Sequence, residues 1–313
     1  MKNPRFYSIL SLVFAFLLTS NACDKKSTSE ATSSNANDTT SVLSTDKIPE
    51  HIDGDYVDLW KKVDSLESQG LYKSALEVVD FILFKAKNEQ NSPIALKAII
   101  HSLKYNSYIE EENYVLAINE LNQLSSSEKF PLKQLIHSVT ADIYWRYYQQ
   151  NRWKFMQRST TIDFENKDIR TWDLTHLLDE VTKHYHLSLS QAHLSQKTSI
   201  LDFKEILVDY SDINETEPTL YDFLAGRAID HFKNSEASLT RPANRFFVEG
   251  KAYFGSNEEF LTISTISDDS LSNELHAVRI FKEWTKFHQN DETIAAKVNL
   301  ELRRIHFAKE FSK

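Results

Sequence analysis

Residues 55–88 read DYVDLWKKVDSLESQGLYKSALEVVDFILFKAKN, and their spacing decides the fold class. Asp55 precedes a run in which Tyr56, Leu59, Trp60, Val63 and Leu66 share one helical face. Asp55 suits an N-cap, with Asp58 following as its box partner. Gly70 falls where a helix C′ residue turns left-handed. Tyr72, Ala75, Leu76, Val79, Ile82, Leu83 and Ala86 then repeat the pattern, which predicts a second amphipathic helix directly after the first.

The same period continues outward. Ser92-Pro93 predicts an N-cap and a proline in the first turn of a third helix carrying Leu96, Ile99, Ile100 and Leu103. A fourth holds Tyr114, Ala117, Ile118, Leu121 and Leu124, and Pro131 opens a fifth through Leu132, Leu135, Ile136, Val139 and Ile143. Tyr72-x-x-Ala75-Leu76 recurs as Tyr114-x-x-Ala117-Ile118. An aromatic wedge followed by a small residue at a close helix crossing is the logic of tetratricopeptide (TPR)-like hairpins. Beyond these, Leu174, Leu177, Leu178, Val181 and Tyr185 mark a helix, residues 200–207 a short one, and Pro218 starts another through Tyr221, Leu224, Ala228 and Phe232. Pro242, Gly250 and Gly255, with β-compatible runs at 245–248 and 260–266, predict a small irregular or β insertion near 240–267. Helices over 271–289 and 292–311 close the chain. The expected fold is all-α: antiparallel hairpins, TPR-like over 55–150, with a second helical part over 151–313.

Composition agrees. Five glycines and six prolines in 313 residues leave little material for the turns of a sheet protein or for Gly-rich phosphate loops. The balance of 36 Lys+Arg against 45 Asp+Glu argues against a nucleic-acid partner. The single cysteine, Cys23, excludes an internal disulfide and a thiolate metal site.

The position of Cys23 has its own reading. Lys2 and Arg5 precede an apolar run at 7–18, then Ser20-Asn21-Ala22 and Cys23, the layout of a signal peptide over 1–22. Ser20-x-Ala22 fits ordinary secretory cleavage. A lone cysteine directly after Ala22 instead resembles a bacterial lipobox, in which Cys23 is lipidated and anchors the chain to a membrane; Ser20 stands where such motifs usually carry leucine. From 27 to 45, eleven of nineteen residues are Ser or Thr, too polar to bury a core, so 23–54 reads as a flexible tether. Such a linker reaches roughly 30 Å.

Several groups could carry chemistry. His184-x-His186 is the densest histidine pair, but a separation of two puts the rings on different helix faces, whereas helical metal ligands sit four apart. Asp163, Glu165 and Asp168 form an acidic run that reads as a solvated loop. Tyr144, Trp145, Tyr148 and Trp153 form an aromatic belt, and Arg241 and Arg245 flank an irregular stretch; these six are the candidate interaction surface, with inter-helix packing and structural ion pairing as the alternatives. No residue reads as catalytic, metal-ligating or cofactor-binding.

The blocks at 59–66 and 70–76, with 144–153 (YWRYYQQNRW), 169–174 (IRTWDL), 218–225 (PTLYDFLA) and 239–242 (LTRP), resemble, in order, the amino-terminal helical region of Bacteroidetes alpha-2-macroglobulin-family lipoproteins. The resemblance implies a non-enzymatic cell-envelope lipoprotein on the outer membrane, periplasmic or surface-exposed. It would act as a scaffold or docking region for a proteinase inhibitor, with downstream macroglobulin domains or a proteinase as partner. The family's thioester motif, Cys-Gly-Glu-Gln, is absent, so no bait or thioester residue carries over, and the chain reads as a split or truncated member or a stand-alone helical arm. The alternatives are a SusD-like nutrient-binding lipoprotein, which the scarcity of glycine disfavours, and a TPR-type envelope scaffold.

Overall fold

The computed structural model describes residues 52–110, 113–157, 168–207, 213–234, 246–269, 272–291 and 294–313. The signal peptide, Cys23, the tether, Asp163, Glu165, Arg241 and Arg245 lie outside them. Twelve α-helices are present among the described residues: α1 Tyr56–Ser68, α2 Tyr72–Asn88, α3 Ser92–Ile109, α4 Asn113–Ser127, α5 Leu132–Met156, α6 Leu174–Ser188, α7 Ala192–Ser195, α8 Ile213–Thr216, α9 Leu220–Phe232, α10 Asn257–Leu261, α11 Asn273–His288 and α12 Ile294–Phe311. Short 3-10 turns cover Ile169–Thr171, Ile200–Ile206 and Lys251–Tyr253. The fold is all-α, and the only β pairing among the described residues is two isolated bridges, Ser199 with Thr219 and Val248 with Ser312.

Local chemistry sets the helix ends. Asp55 accepts the backbone N–H of Asp58 at 2.9 Å, and Gly70 turns the chain out of α1 at φ +71°. The cap of α3 is Asn91, one residue before the expected Ser92; its side chain accepts from Ile94 N, and Pro93 still lies within the first turn. The fifth helix runs much further than its apolar period suggested, to Met156, with a kink at Asn151 (φ −108°, ψ 17°). There the Asn151 amide donates to the Tyr147 carbonyl at 3.0 Å, a local bond that competes with the helix ladder.

Of the two forms expected near 240–267, irregular or β, the described residues 246–267 take the irregular one, with a short helix and no hairpin. Ser256 and Glu259 form a reciprocal capping box that nucleates α10, and Phe260 turns inward against Tyr253. The β-compatible residues of 260–266 thus begin as helix, because the box satisfies donors that a strand would need a neighbour to satisfy.

The chain divides into two compact units. The first holds the described residues up to Gln123 with 205–207, and the second holds the remainder. The boundary falls inside α4, and α5 belongs to the second unit. In the first unit α2 packs on α1 and α3. Leu59, Val63, Ala75, Val79, Ile82, Ala98 and Ile99 form its dry centre, and Tyr72 stacks on Tyr108 with centroids 4.4 Å apart. In the second unit α5 packs on α6, α9 on α11, and α11 on α12.

Candidate functional site

The histidines gather in the second unit. His184 and His186 point away from each other, as their spacing requires. His184 Nδ1 lies 3.1 Å from His137 Nδ1 of α5, and His186 Nε2 lies 2.8 Å from His276 Nδ1 of α11. Glu180 Oε2 lies 3.7 Å from His184 Nε2. If that nitrogen keeps its proton, His184 Nδ1 must accept and His137 Nδ1 donate, which leaves both rings neutral. Burial holds His137 near 4, His184 near 3, His186 near 4 and His231 near 4, each helped by nearby positive charge or a second ring; at His231 Asp142 pulls upward against burial and His276. Among the described residues, no group of three or more His, Cys, Asp or Glu could hold a metal ion.

Aromatic rings fill the space around these pairs. Tyr144 stacks on Trp172 at 5.7 Å, Trp145 meets His231 edge-on at 5.1 Å, and Tyr185 stacks on His231 at 4.9 Å. Tyr144, Trp145 and Tyr148 are 1%, 7% and 0% exposed, so three residues of the candidate interaction surface are interior. The reason is geometric: α5 is enclosed on several sides, and its aromatic face meets α6 and α9. Trp153, past the kink at Asn151, is 62% exposed, and Met156 beside it is equally so. Asp168 caps the Ile169–Thr171 turn and binds Arg170 at 2.9 Å, an arrangement that holds the carboxyl below its ordinary range.

A second polar centre was not singled out from sequence. Asp222, fully buried, begins as the box partner of Thr219 at the start of α9: its Oδ2 accepts from Thr219 N and Thr219 Oγ1, each at 2.8 Å. Its Oδ1 accepts from Trp284 Nε1 at 2.6 Å and His288 Nε2 at 2.7 Å. His288 Nδ1 faces Asp291 Oδ2, so both ring nitrogens donate to carboxylates. Burial opposes the charged ring, but the two carboxylates outweigh it and raise the His288 pKa. The Thr219-x-x-Asp222 box was readable in the sequence; the arrival of Trp284 and His288 was not.

The first unit holds a third such place. Glu120 of α4 is buried with neither carboxyl oxygen bonded, and Asp80 of α2 has one buried oxygen unbonded. Burial, then the charge of Asp80, raises Glu120 to about 8, and burial with Glu77 raises Asp80 to about 7. Glu120 thus keeps its proton at neutrality, and Asp80 titrates close to it.

Searches of family models, of curated proteins and of solved structures find no match to this chain. No helix among the described residues is long and apolar enough to cross a membrane.

Proposed function

We propose that this chain is a non-enzymatic, lipid-anchored envelope protein whose helical units serve as a scaffold or docking arm. The observation that carries the reading is the fate of the reactive side chains. His137 with His184, His186 with His276, and Asp222 with His288 spend their ring nitrogens and carboxyl oxygens on one another within packed helices. A general base needs its lone pair within reach of a substrate proton, and these lone pairs are occupied. Trp153, Met156, Ile294 and Leu302 are exposed, and apolar surface of this kind is a means by which helical arrays bind partners.

The envelope part of the reading is supported by the order basic residues, apolar run, small residues, Cys23 and polar tether. The macroglobulin connection is supported by the sequence blocks at 59–76, 144–153 and 218–225, and it assigns the partner: further domains of an inhibitor, or the proteinase itself.

The anchor is tested by expressing the exported chain and its Cys23→Ser variant with a labelled fatty acid, then separating membrane from soluble fractions. Label and membrane retention are expected for the native chain only. Equal membrane retention of both would remove Cys23 from the account. The docking role is tested by crosslinking the anchored chain in its envelope; recovery of no protein partner would count against it.

A further inference from the structure

Helix α12 is apolar on two opposite faces. One carries Ala296, Leu300 and Phe307 and is buried, with α11 packed on the helix. The other carries Ile294, Val298 and Leu302 at four-residue steps, 72%, 45% and 52% exposed, and continues into the half-buried Ile305. A surface helix normally turns a polar face to water. A contiguous apolar stripe on the exposed face of a packed helix is the kind of patch that marks an interface.

The charges beside the stripe indicate what fits there. Lys297 and Glu301 lie one helical turn apart along the same edge of the stripe. Lys297 has no ion pair or hydrogen bond, and Glu301 reaches only Arg304 of its own helix, at 3.4 Å. When two helices pack antiparallel about a two-fold axis, each edge meets the same edge of its partner, running in reverse. Pairing Ile294 with Ile305, Val298 with Leu302 and Lys297 with Glu301 of a second copy puts all three midpoints between residues 299 and 300. One axis therefore satisfies the apolar ridge and both charges together. A parallel pair would set the charged edge against the Asn299 edge, which has no acid or lysine level with Lys297 and Glu301.

We propose that this face of α12 is a self-association surface that binds α12 of a second copy, antiparallel, as an isologous contact. The four-residue ridge is the kind that interdigitates when helices cross. A single helix stripe is small beside the roughly 800 Å² per partner of a standard interface, so the dimer is weak and concentration-dependent.

Sedimentation equilibrium tests it, using the full chain expressed without export so that Cys23 stays unmodified, from about 1 μM to about 1 mM, a span covering weak association. The native chain is expected to pass from monomer to dimer within that range. Leu302→Glu should stay monomeric throughout. Lys297→Glu and Glu301→Lys should each weaken the dimer about fivefold, because each places like charges together twice. An equimolar mixture of those two variants should recover it as a heterodimer, since both pairs are then complementary. Circular dichroism confirms that each variant keeps its helicity. A native chain that stays monomeric at the highest concentration, or variants whose mixture associates no better than either alone, overturns the proposal and assigns the stripe to a different protein.

Discussion

Replacing Asp222 by asparagine keeps the shape of the side chain and changes only what it offers. In the native protein both oxygens accept, Oδ1 from Trp284 and His288 and Oδ2 from the Thr219 N–H and hydroxyl, at 2.6 to 2.8 Å. An amide turns one acceptor into a donor. Set at the Oδ1 position, it points N–H groups at Trp284 Nε1 and His288 Nε2; set at the Oδ2 position, it faces the Thr219 N–H. Either choice leaves buried donors unpaired, at about 1–3 kcal/mol each, and it removes the negative charge beside a buried imidazolium. Breaking one partner of a buried pair typically costs about 3–5 kcal/mol, so a loss of about 4 kcal/mol is expected for Asp222→Asn. Urea unfolding followed by tryptophan fluorescence measures it. There is also a pH signature. The native His288 pKa is raised, so its contribution is complete below the unfolded histidine value of about 6.5 and is lost as pH rises through the folded value. In the variant, His288 should titrate lower by NMR, and that decline in stability on the alkaline side should shrink. A loss below about 1 kcal/mol, or an unmoved His288 titration, would show that Asp222 does not hold the network together.

Other perturbations separate the remaining ideas. Glu120→Gln removes a carboxyl whose folded pKa, about 8, lies above its ordinary value; such a group stabilises below about 4.5 and the stability is lost as pH rises through 8. The variant should therefore gain on the native chain by up to about 3 kcal/mol at pH 7 but not at pH 4; denaturant midpoints at the two pH values that shift equally would refute this. His231 is buried with a folded pKa near 4, so stability is intact above 6.5 and falls as pH drops toward 4. His231→Phe should reduce the acid slope by about 1.4 kcal/mol per pH unit between those values, and an unchanged slope in a pH series of urea melts would contradict it. Gly70 sits at φ +71° with open space around its missing side chain, so Gly70→Ala should cost about 1 kcal/mol from backbone strain alone, checked by thermal unfolding. Tyr148→Ala empties a fully buried site and should cost about 4 kcal/mol, while Trp153→Ala should change stability by less than about 0.5 kcal/mol; similar losses for both in calorimetry would mean that Trp153 is not a surface residue.

Local signals were legible and long-range ones were not. Asp55 with Asp58, Gly70 and the apolar steps of α1 to α3 each act within one or two helical turns, so the sequence carries both partners of every such interaction. The failures share a cause. The 260–266 run has β-compatible side chains, but the Ser256–Glu259 box just ahead of it sets the local hydrogen bonding first. The aromatic belt was read as one group, yet the kink at Asn151 separates Trp153 from Tyr144, Trp145 and Tyr148, and only the side chain beyond it reaches solvent. His184 and His186 could be placed on different faces from their spacing alone. Their partners, His137 and His276, are 47 and 90 residues away, and no periodicity announces them.

The Asp222 centre and the α12 stripe mark the two sides of that boundary. Asp222 is the third-position partner of Thr219 in the capping box of α9; the same carboxylate then serves Trp284 and His288, more than sixty residues later, because the box uses one oxygen and leaves the other free to accept. A box carboxylate that is also fully buried must find a second use for its charge, since an ionised carboxylate with a bare oxygen is too costly to hold in the interior. For α12 the inference runs in the opposite direction. Apolar period along Ile294, Val298 and Leu302 says that a face wants cover, and it says so equally for a face met by the same chain and for one that is not. Only the fold separates the two cases, by showing that the helix has already spent its other face on α11. An apolar face left over after folding has been accounted for is therefore where a binding surface is to be sought.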